Sequence, residues 1–189
     1  MRIGFVRHGQ TKWNEAGRAQ GHSDIPLNMT GKREAHLIGK RLAQEDWDLV
    51  FSSDLLRAKN TAEIIVQQKH LPHIIDERLR ERHGGKIEGT TEAERIEKWG
   101  ESWRSLNLGI ETGEQMSERG LDFLEEMIPK YYPKNLLIVS HGAFLKQLLR
   151  TLTPEENVEA SLANCSLTIL KTTKSTWELQ LHNCLNHMR

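Results

Sequence analysis

Leu136-Leu137-Ile138-Val139-Ser140-His141-Gly142 is the stretch that decides the fold class. Four consecutive apolar residues leave no side of a strand for water, so the run reads as a central strand covered on both faces. Directly after it, Phe144, Leu145, Leu148 and Leu149 fall on one face of a helix expected over residues 143–152. A fully apolar strand feeding straight into an amphipathic helix is the repeating unit of an α/β domain.

The same alternation recurs on either side. Further strands are expected at residues 3–6, 48–52, 74–76, 166–170 and 177–181. Thr30 can cap a helix that carries Ala35, Ile38 and Leu42 on one face. A second helix, over about residues 55–66, turns Ala58, Ala62 and Ile65 inward, and a third, over 114–128, carries Met116, Gly120, Phe123, Leu124 and Met127 up to a stop at Pro129. The last two strands, joined by a short turn near Lys174-Ser175, are expected to form an antiparallel hairpin at one edge of the sheet. No repeat, low-complexity tract or linker divides the sequence. Residues 1–189 therefore read as one domain, a three-layer α/β/α sandwich around a mostly parallel sheet with an antiparallel edge strand.

Composition narrows the partners. Hydrophobic residues make up 37% and charged residues 28%, the profile of a water-soluble chain, and 26 Lys plus Arg balance 26 Asp plus Glu. No net field then favours nucleic acid or a membrane surface, though a local positive cluster can still grip a small anion. Two cysteines, Cys165 and Cys184, do not make a disulfide framework and suit a reducing compartment. No apolar run has the length of a signal sequence or approaches the roughly 18 residues of a membrane span. A cytoplasmic location is the expectation.

Ligands of open α/β sheets bind beyond the carboxyl ends of the strands. Two histidines hold such positions: His8 after the first strand and His141 after the 136–139 strand. Each is the centre of a short motif, Val6-Arg7-His8-Gly9-Gln10-Thr11 and Val139-Ser140-His141-Gly142. Between them lie Asn14, Gln20-Gly21, Leu27-Asn28-Met29-Thr30-Gly31, Ser52-Ser53-Asp54-Leu55-Leu56-Arg57-Ala58, Thr61-Ala62, Leu79-Arg80-Glu81 and Glu88-Gly89. An Arg-His-Gly tripeptide alone says little, but this ordered company says much more.

In these motifs the chain resembles the histidine phosphatase superfamily, the phosphoglycerate mutase-like family that also holds many small phosphatases. The likeness runs in order from Arg2 to about Leu149, and the strand from Asn164 to Leu170 is also familiar. It implies the α/β/α fold and a phosphoryl transfer by way of histidine. A phosphate monoester is a dianion near neutrality, and a neutral imidazole approaches it without the repulsion an anionic nucleophile meets. His8 is the expected nucleophile. Arg7 and Arg57 supply planar guanidinium forks for the phosphoryl oxygens, and His141 a further donor. By resemblance Asn14 and the Gln20-Gly21 backbone complete the cradle, with Gly142 beside it. Glu81 sits where the family's general acid sits; Glu88 is the runner-up carboxylate, though Glu88-Gly89 resembles a structural turn. His83, close to Glu81, is held open as a pocket residue.

No metal and no other cofactor is expected. The sequence has no His-Glu-x-x-His or Cys-x-x-Cys motif, and the cationic cluster supplies the charge a metal would. Water as acceptor makes a phosphatase, and a retained hydroxy acid makes a mutase. After Glu81-Arg82-His83 the chain runs directly to Gly84-Gly85, without the tyrosine the mutases place there, and no adjacent arginine pair lies between Glu81 and His141. The expectation is a metal-independent phosphatase, a mutase being second and a catalytically silent binding protein third. Its partners are small phosphate esters, among which sugar phosphates, phosphoglycerates and α-ribazole phosphate stay open, as does oligomeric state. The walls of the leaving-group pocket are expected in residues 90–117, where Trp99 and Trp103, four apart on a charged helix, are candidates for a packed lid and equally for ordinary core packing.

Overall fold

A computed structural model describes residues 1–156, 161–173 and 176–189. The apolar run becomes β4 (Leu136–Ser140), buried throughout. On one side it pairs in parallel with β1 (Arg2–Arg7), on the other with β2 (Leu49–Ser52), itself parallel to the short β3 (His73–Ile75). Beyond β1, β5 (Leu167–Thr173) runs antiparallel to it and to β6 (Thr176–Cys184), giving the order β3-β2-β4-β1-β5-β6. The hairpin closes one edge as expected, with β5 the strand that opposes its neighbours. The expected turn at Lys174-Ser175 lies outside the described residues.

Strand periodicity of two sorts the side chains into two cores. Ile3, Phe5, Phe51, Leu136 and Ile138 face α5 (Gly113–Tyr131) and α6 (Gly142–Leu152). Val6, Val50, Leu137 and Val139 face α2 (Met29–Leu42) and α3 (Leu56–Lys69). Residues 136–139 of β4 thus meet hydrocarbon on one face or the other, which is why that run shows no alternation. The chain leaves β1 toward β2 and leaves β4 toward β5. These opposite exits from adjacent strands open a crevice at their carboxyl ends.

Several element ends differ from the sequence expectation. Asn28, not Thr30, caps α2, because the Asn28 side chain reaches the Gly31 N–H at 2.8 Å and the helix begins two residues earlier. Pro129 lies inside α5, which continues to Tyr131. A proline this near a helix end removes only one N–H donor, and the ring sits against the groove beside Ile128 and Tyr132. Trp99 and Trp103 share no helix. α4 (Glu92–Trp99) stops at Gly100, whose φ of 79° is one that side chains rarely adopt, and Trp103 begins a separate turn. Trp103 is packed within its own segment, its indole N–H on Glu92 at 3.0 Å and Arg95 across its ring.

Candidate active site

The crevice between β1 and β4 collects four of the side chains singled out in the sequence. His8 extends the strand ladder, its N–H donating to the Ser140 carbonyl at 2.9 Å. Its ring is buried, and its Nδ1 lies 2.7 Å from the Gly9 carbonyl. That contact requires a proton on Nδ1, so Nε2 carries the lone pair. The loop is pinned from two sides: the Gly9 N–H donates to the Thr61 hydroxyl at 3.1 Å, and the Asn164 side chain donates to the His8 carbonyl at 2.9 Å. His141, the N-cap of α6, stands with its ring centroid 5.2 Å from that of His8.

Arg7 and Arg57 are anchored through backbone carbonyls. Arg7 donates to the Leu162 carbonyl at 2.6 Å, and Arg57 donates to the carbonyls of Gly21 and Ser23 at 2.7 and 2.9 Å. Gly21 supports this with a φ of 50°, and a side chain there would collide with the Glu88 carboxylate. Gly142 leaves room for Arg7, whose Nε would lie 3.1 Å from an added Cβ. Arg7 Nε, Arg57 Nε and both ring nitrogens of His141 are buried without a hydrogen-bond partner in the protein. Desolvated groups left unpaired in this way are costly, and guanidinium and imidazole N–H groups suit an anion. Burial first, then the Arg57 and Arg7 charges, hold His8 well below the ordinary imidazole range; burial and Arg57 lead the same effect on His141. His8 is therefore neutral, with its Nε2 lone pair available.

Glu81 approaches from the other side of the crevice. Its carboxylate accepts from the N–H groups of Phe144 at 2.9 Å, Ala143 at 3.3 Å and Arg82 at 2.8 Å. Since His141 makes no side-chain cap bond, Glu81 performs that task for α6 from a distant loop. Glu81, Arg7, Gly142, Ala143, Lys146, Ser161 and Leu162 line a cavity of ≈ 290 Å³. A larger cleft of ≈ 690 Å³ lies against the neighbours of Glu81, with Arg80, His83, His22, Ile110, Glu111 and Arg119 in its wall.

The remaining predicted residues are less central. Asn14 Oδ1 accepts from the Thr11 N–H at 3.1 Å in a capping box, and Gln20 accepts from the Thr11 hydroxyl at 2.9 Å. The Gly21 carbonyl serves Arg57. His83 is exposed and lines the larger cleft, its ring edge-on to His22 at 5.0 Å, away from the paired histidines. Of residues 90–117, Gly109, Ile110, Glu111 and Gln115 contribute to that cleft, and Trp99 and Trp103 do not. Glu88 accepts from the N–H groups of His22, Ser23 and Gly84 at 2.8, 3.0 and 2.9 Å. Sequence reasoning passed over His22, whose Nε2 lies 2.8 Å from the Glu81 carbonyl, and Arg119, which no motif marks. Thr61 and Asn164 lay in quoted segments without a role.

Residues 3–185 match the sequence profile of the histidine phosphatase superfamily, branch 1. The chain belongs to that superfamily. Among its relatives in the superfamily, the "Uncharacterized phosphatase PhoE" of Bacillus subtilis is 34% identical, covering 97% of this chain and 95% of the relative. The "Metal-independent phosphoserine phosphatase" of Arabidopsis thaliana is 32% identical over 98% and 82%. The "Probable phosphoglycerate mutase GpmB" of Yersinia enterocolitica is 35% identical over 94% and 87%. A solved structure of a mycobacterial glucosyl-3-phosphoglycerate phosphatase with VO3 superimposes with a TM-score of 0.88 at 28% identity, covering 97% of this chain and 99% of that one. The superfamily's phosphoglycerate mutase-like fold is thus the fold of this chain. No helix among the described residues is long and apolar enough to cross a membrane.

Proposed function

We propose that this chain hydrolyses small phosphate monoesters through a phosphohistidine on His8. The observation that carries the reading is the meeting of a buried neutral His8, its Nδ1 spoken for by Gly9, with the unpaired buried nitrogens of Arg7, Arg57 and His141. A nucleophile with its lone pair on Nε2 and a cationic cradle around the same crevice is what a phosphoryl group needs.

In the first step the Nε2 lone pair attacks phosphorus, the ester P–O bond breaks, and the departing oxygen takes a proton from the Glu81 carboxyl. In the second, Glu81 takes a proton from water, the water oxygen attacks phosphorus, and the N–P bond breaks to release phosphate and free His8. Proton transfer of this kind is worth about 10²–10⁴-fold. Arg7, Arg57 and His141 stabilise the equatorial oxygens in both steps, with Asn14, Gln20 and Gly21 holding the flanking loop and Gly142 opening the approach. The cluster supplies this charge from protein alone, so the proposed reaction uses no metal or other cofactor. The ester's organic part extends past Glu81 toward the cavities on either side of its loop. The solvent-facing setting of His83 suits a contact with that part rather than with phosphate. A water-soluble enzyme of the cytoplasm fits this chemistry and the balanced charge.

Hydrolysis is favoured over isomerisation by the absence of an adjacent arginine pair between Glu81 and His141 to retain a hydroxy acid. The test is incubation with p-nitrophenyl phosphate and with 3-phosphoglycerate in EDTA, following free phosphate and 2-phosphoglycerate. Release of phosphate that His8→Ala abolishes is the expected result. Isomerisation without release, or no turnover of either ester by the folded protein, overturns the reading.

A further inference from the structure

One side chain of α5, Arg119, bonds the backbone of the loop that carries Glu81 at three carbonyls. Arg119 Nη1 donates to the carbonyls of Arg78 at 2.6 Å and Arg80 at 2.8 Å, and Nη2 reaches the Glu81 carbonyl at 3.3 Å. Its Nε and Nη2 grip the Glu111 carboxylate at 2.7 and 3.0 Å, and the same carboxylate accepts from the His83 N–H at 3.0 Å. Residues before, at and after Glu81 are thereby tied to one guanidinium–carboxylate pair. The Arg119 guanidinium also lies 4.3 Å from the Phe144 ring centroid, and the Phe144 N–H holds the Glu81 carboxylate. Both ends of Glu81, backbone and carboxylate, are referred to Arg119.

The inward packing of α5 does not need this residue. Met116, Gly120, Phe123, Leu124 and Met127 form its buried face, whereas Arg119 spends its donors on loop carbonyls and Glu111. Proton transfer demands heavy atoms about 2.6–3.2 Å apart, so a loop free to drift by about 1 Å forfeits on the order of 10²-fold in rate.

We propose that Arg119, locked by Glu111, is a positioning residue that sets the reach of the Glu81 carboxyl to the ester oxygen. The proposal rests on reading Glu81 as the proton donor. Arg119 touches no reacting atom; its effect passes through the loop.

The experiment compares kcat/KM for β-glycerol phosphate, an alkyl ester, with that for p-nitrophenyl phosphate, whose leaving group departs without a proton. Wild type, Arg119→Ala and Glu81→Gln are measured side by side, with circular dichroism to verify folding. Arg119→Ala is expected to lower the alkyl value by about 10²-fold and the aryl value by no more than about threefold, following the pattern of Glu81→Gln. Equal losses on both esters in Arg119→Ala, while Glu81→Gln discriminates, make Arg119 a merely structural residue and overturn the proposal alone. Failure of Glu81→Gln itself to discriminate overturns the reading of Glu81, and this proposal with it. Should Arg119→Ala not fold, Arg119→Lys carries the same comparison, since an ammonium keeps the charge but cannot span the carbonyls and Glu111 together.

Discussion

The rings of His8 and His141 stand 5.2 Å apart, tilted by 58°, each at the carboxyl end of one of two adjacent parallel strands. Burial and the neighbouring Arg57 hold both in the neutral form, below the ordinary imidazole value of 6.5. The acid limb of kcat/KM that reports His8 is therefore expected well below about pH 6.5. Stability follows from the same sign. Below that value the unfolded imidazoles bind protons that the folded pair refuses, so unfolding takes up protons. Thermal melts are expected to show full stability from this pair above about pH 6.5 and a progressive loss as pH falls beneath it. A melting temperature flat between about pH 7.5 and 5 would contradict this.

Arg57→Ala is expected to do three things at once. It orphans the Gly21 and Ser23 carbonyls, at about 1–3 kcal/mol for each that stays dry, it raises KM, and it moves the acid limb of His8 upward by removing a neighbouring positive charge. Arg57→Lys should restore little, because an ammonium does not hold two carbonyls and still present a donor to phosphate. Denaturant unfolding and a pH–rate profile read these effects separately.

Thr61→Val probes the pin beneath the proposed nucleophile, His8. The Thr61 hydroxyl accepts from the Gly9 N–H and donates to the Arg57 carbonyl at 2.7 Å. Its loss leaves a buried N–H unpaired, for about 1–3 kcal/mol of stability. A slackened His8 loop is expected to lower kcat more than it changes KM; unchanged steady-state constants would show the pin to be idle in turnover.

Glu88→Gln separates the two carboxylates of this region. Glu88 accepts from three backbone N–H groups and from the Ser23 hydroxyl at 2.7 Å, so its substitution is expected to destabilise by about 1–3 kcal/mol. Its activity loss should fall equally on alkyl and aryl phosphates, unlike that of Glu81→Gln. A selective loss on alkyl esters would exchange their roles.

Activity is expected to persist in EDTA. Among the described residues no group of three His, Cys, Asp or Glu side chains is placed to hold a metal ion. Loss of turnover that added divalent metal restores would speak for a different chemistry.

Much of this was legible in the primary structure, for physical reasons that differ from place to place. β4 was readable because four apolar residues in a row admit few other fates. His8 and His141 were readable because strand ends followed by glycine mark the ligand edge of such sheets. The end of α5 was misjudged because a late proline sacrifices one bond, and the start of α2 because two polar residues, Asn28 and Thr30, with Met29 between them, compete for one cap. Arg119 and His22 were invisible: each works through backbone carbonyls of a loop remote in sequence, and a carbonyl carries no residue type to recognise. The helix expected through both tryptophans was misjudged because Trp99 and Trp103 have helical spacing while Gly100 between them ends it; buried Trp103 fits the core-packing alternative.

The His8 N–H bond to the Ser140 carbonyl has a corollary for how such a protein diversifies. It welds His8, the proposed nucleophile, to the sheet's own backbone ladder, while the stretch from Thr90 to Ile110 is a detour that contributes no strand and contains neither Glu88 nor Glu111. Exchanging that detour for one from a relative would re-tailor what the enzyme accepts and leave the phosphorus chemistry in register.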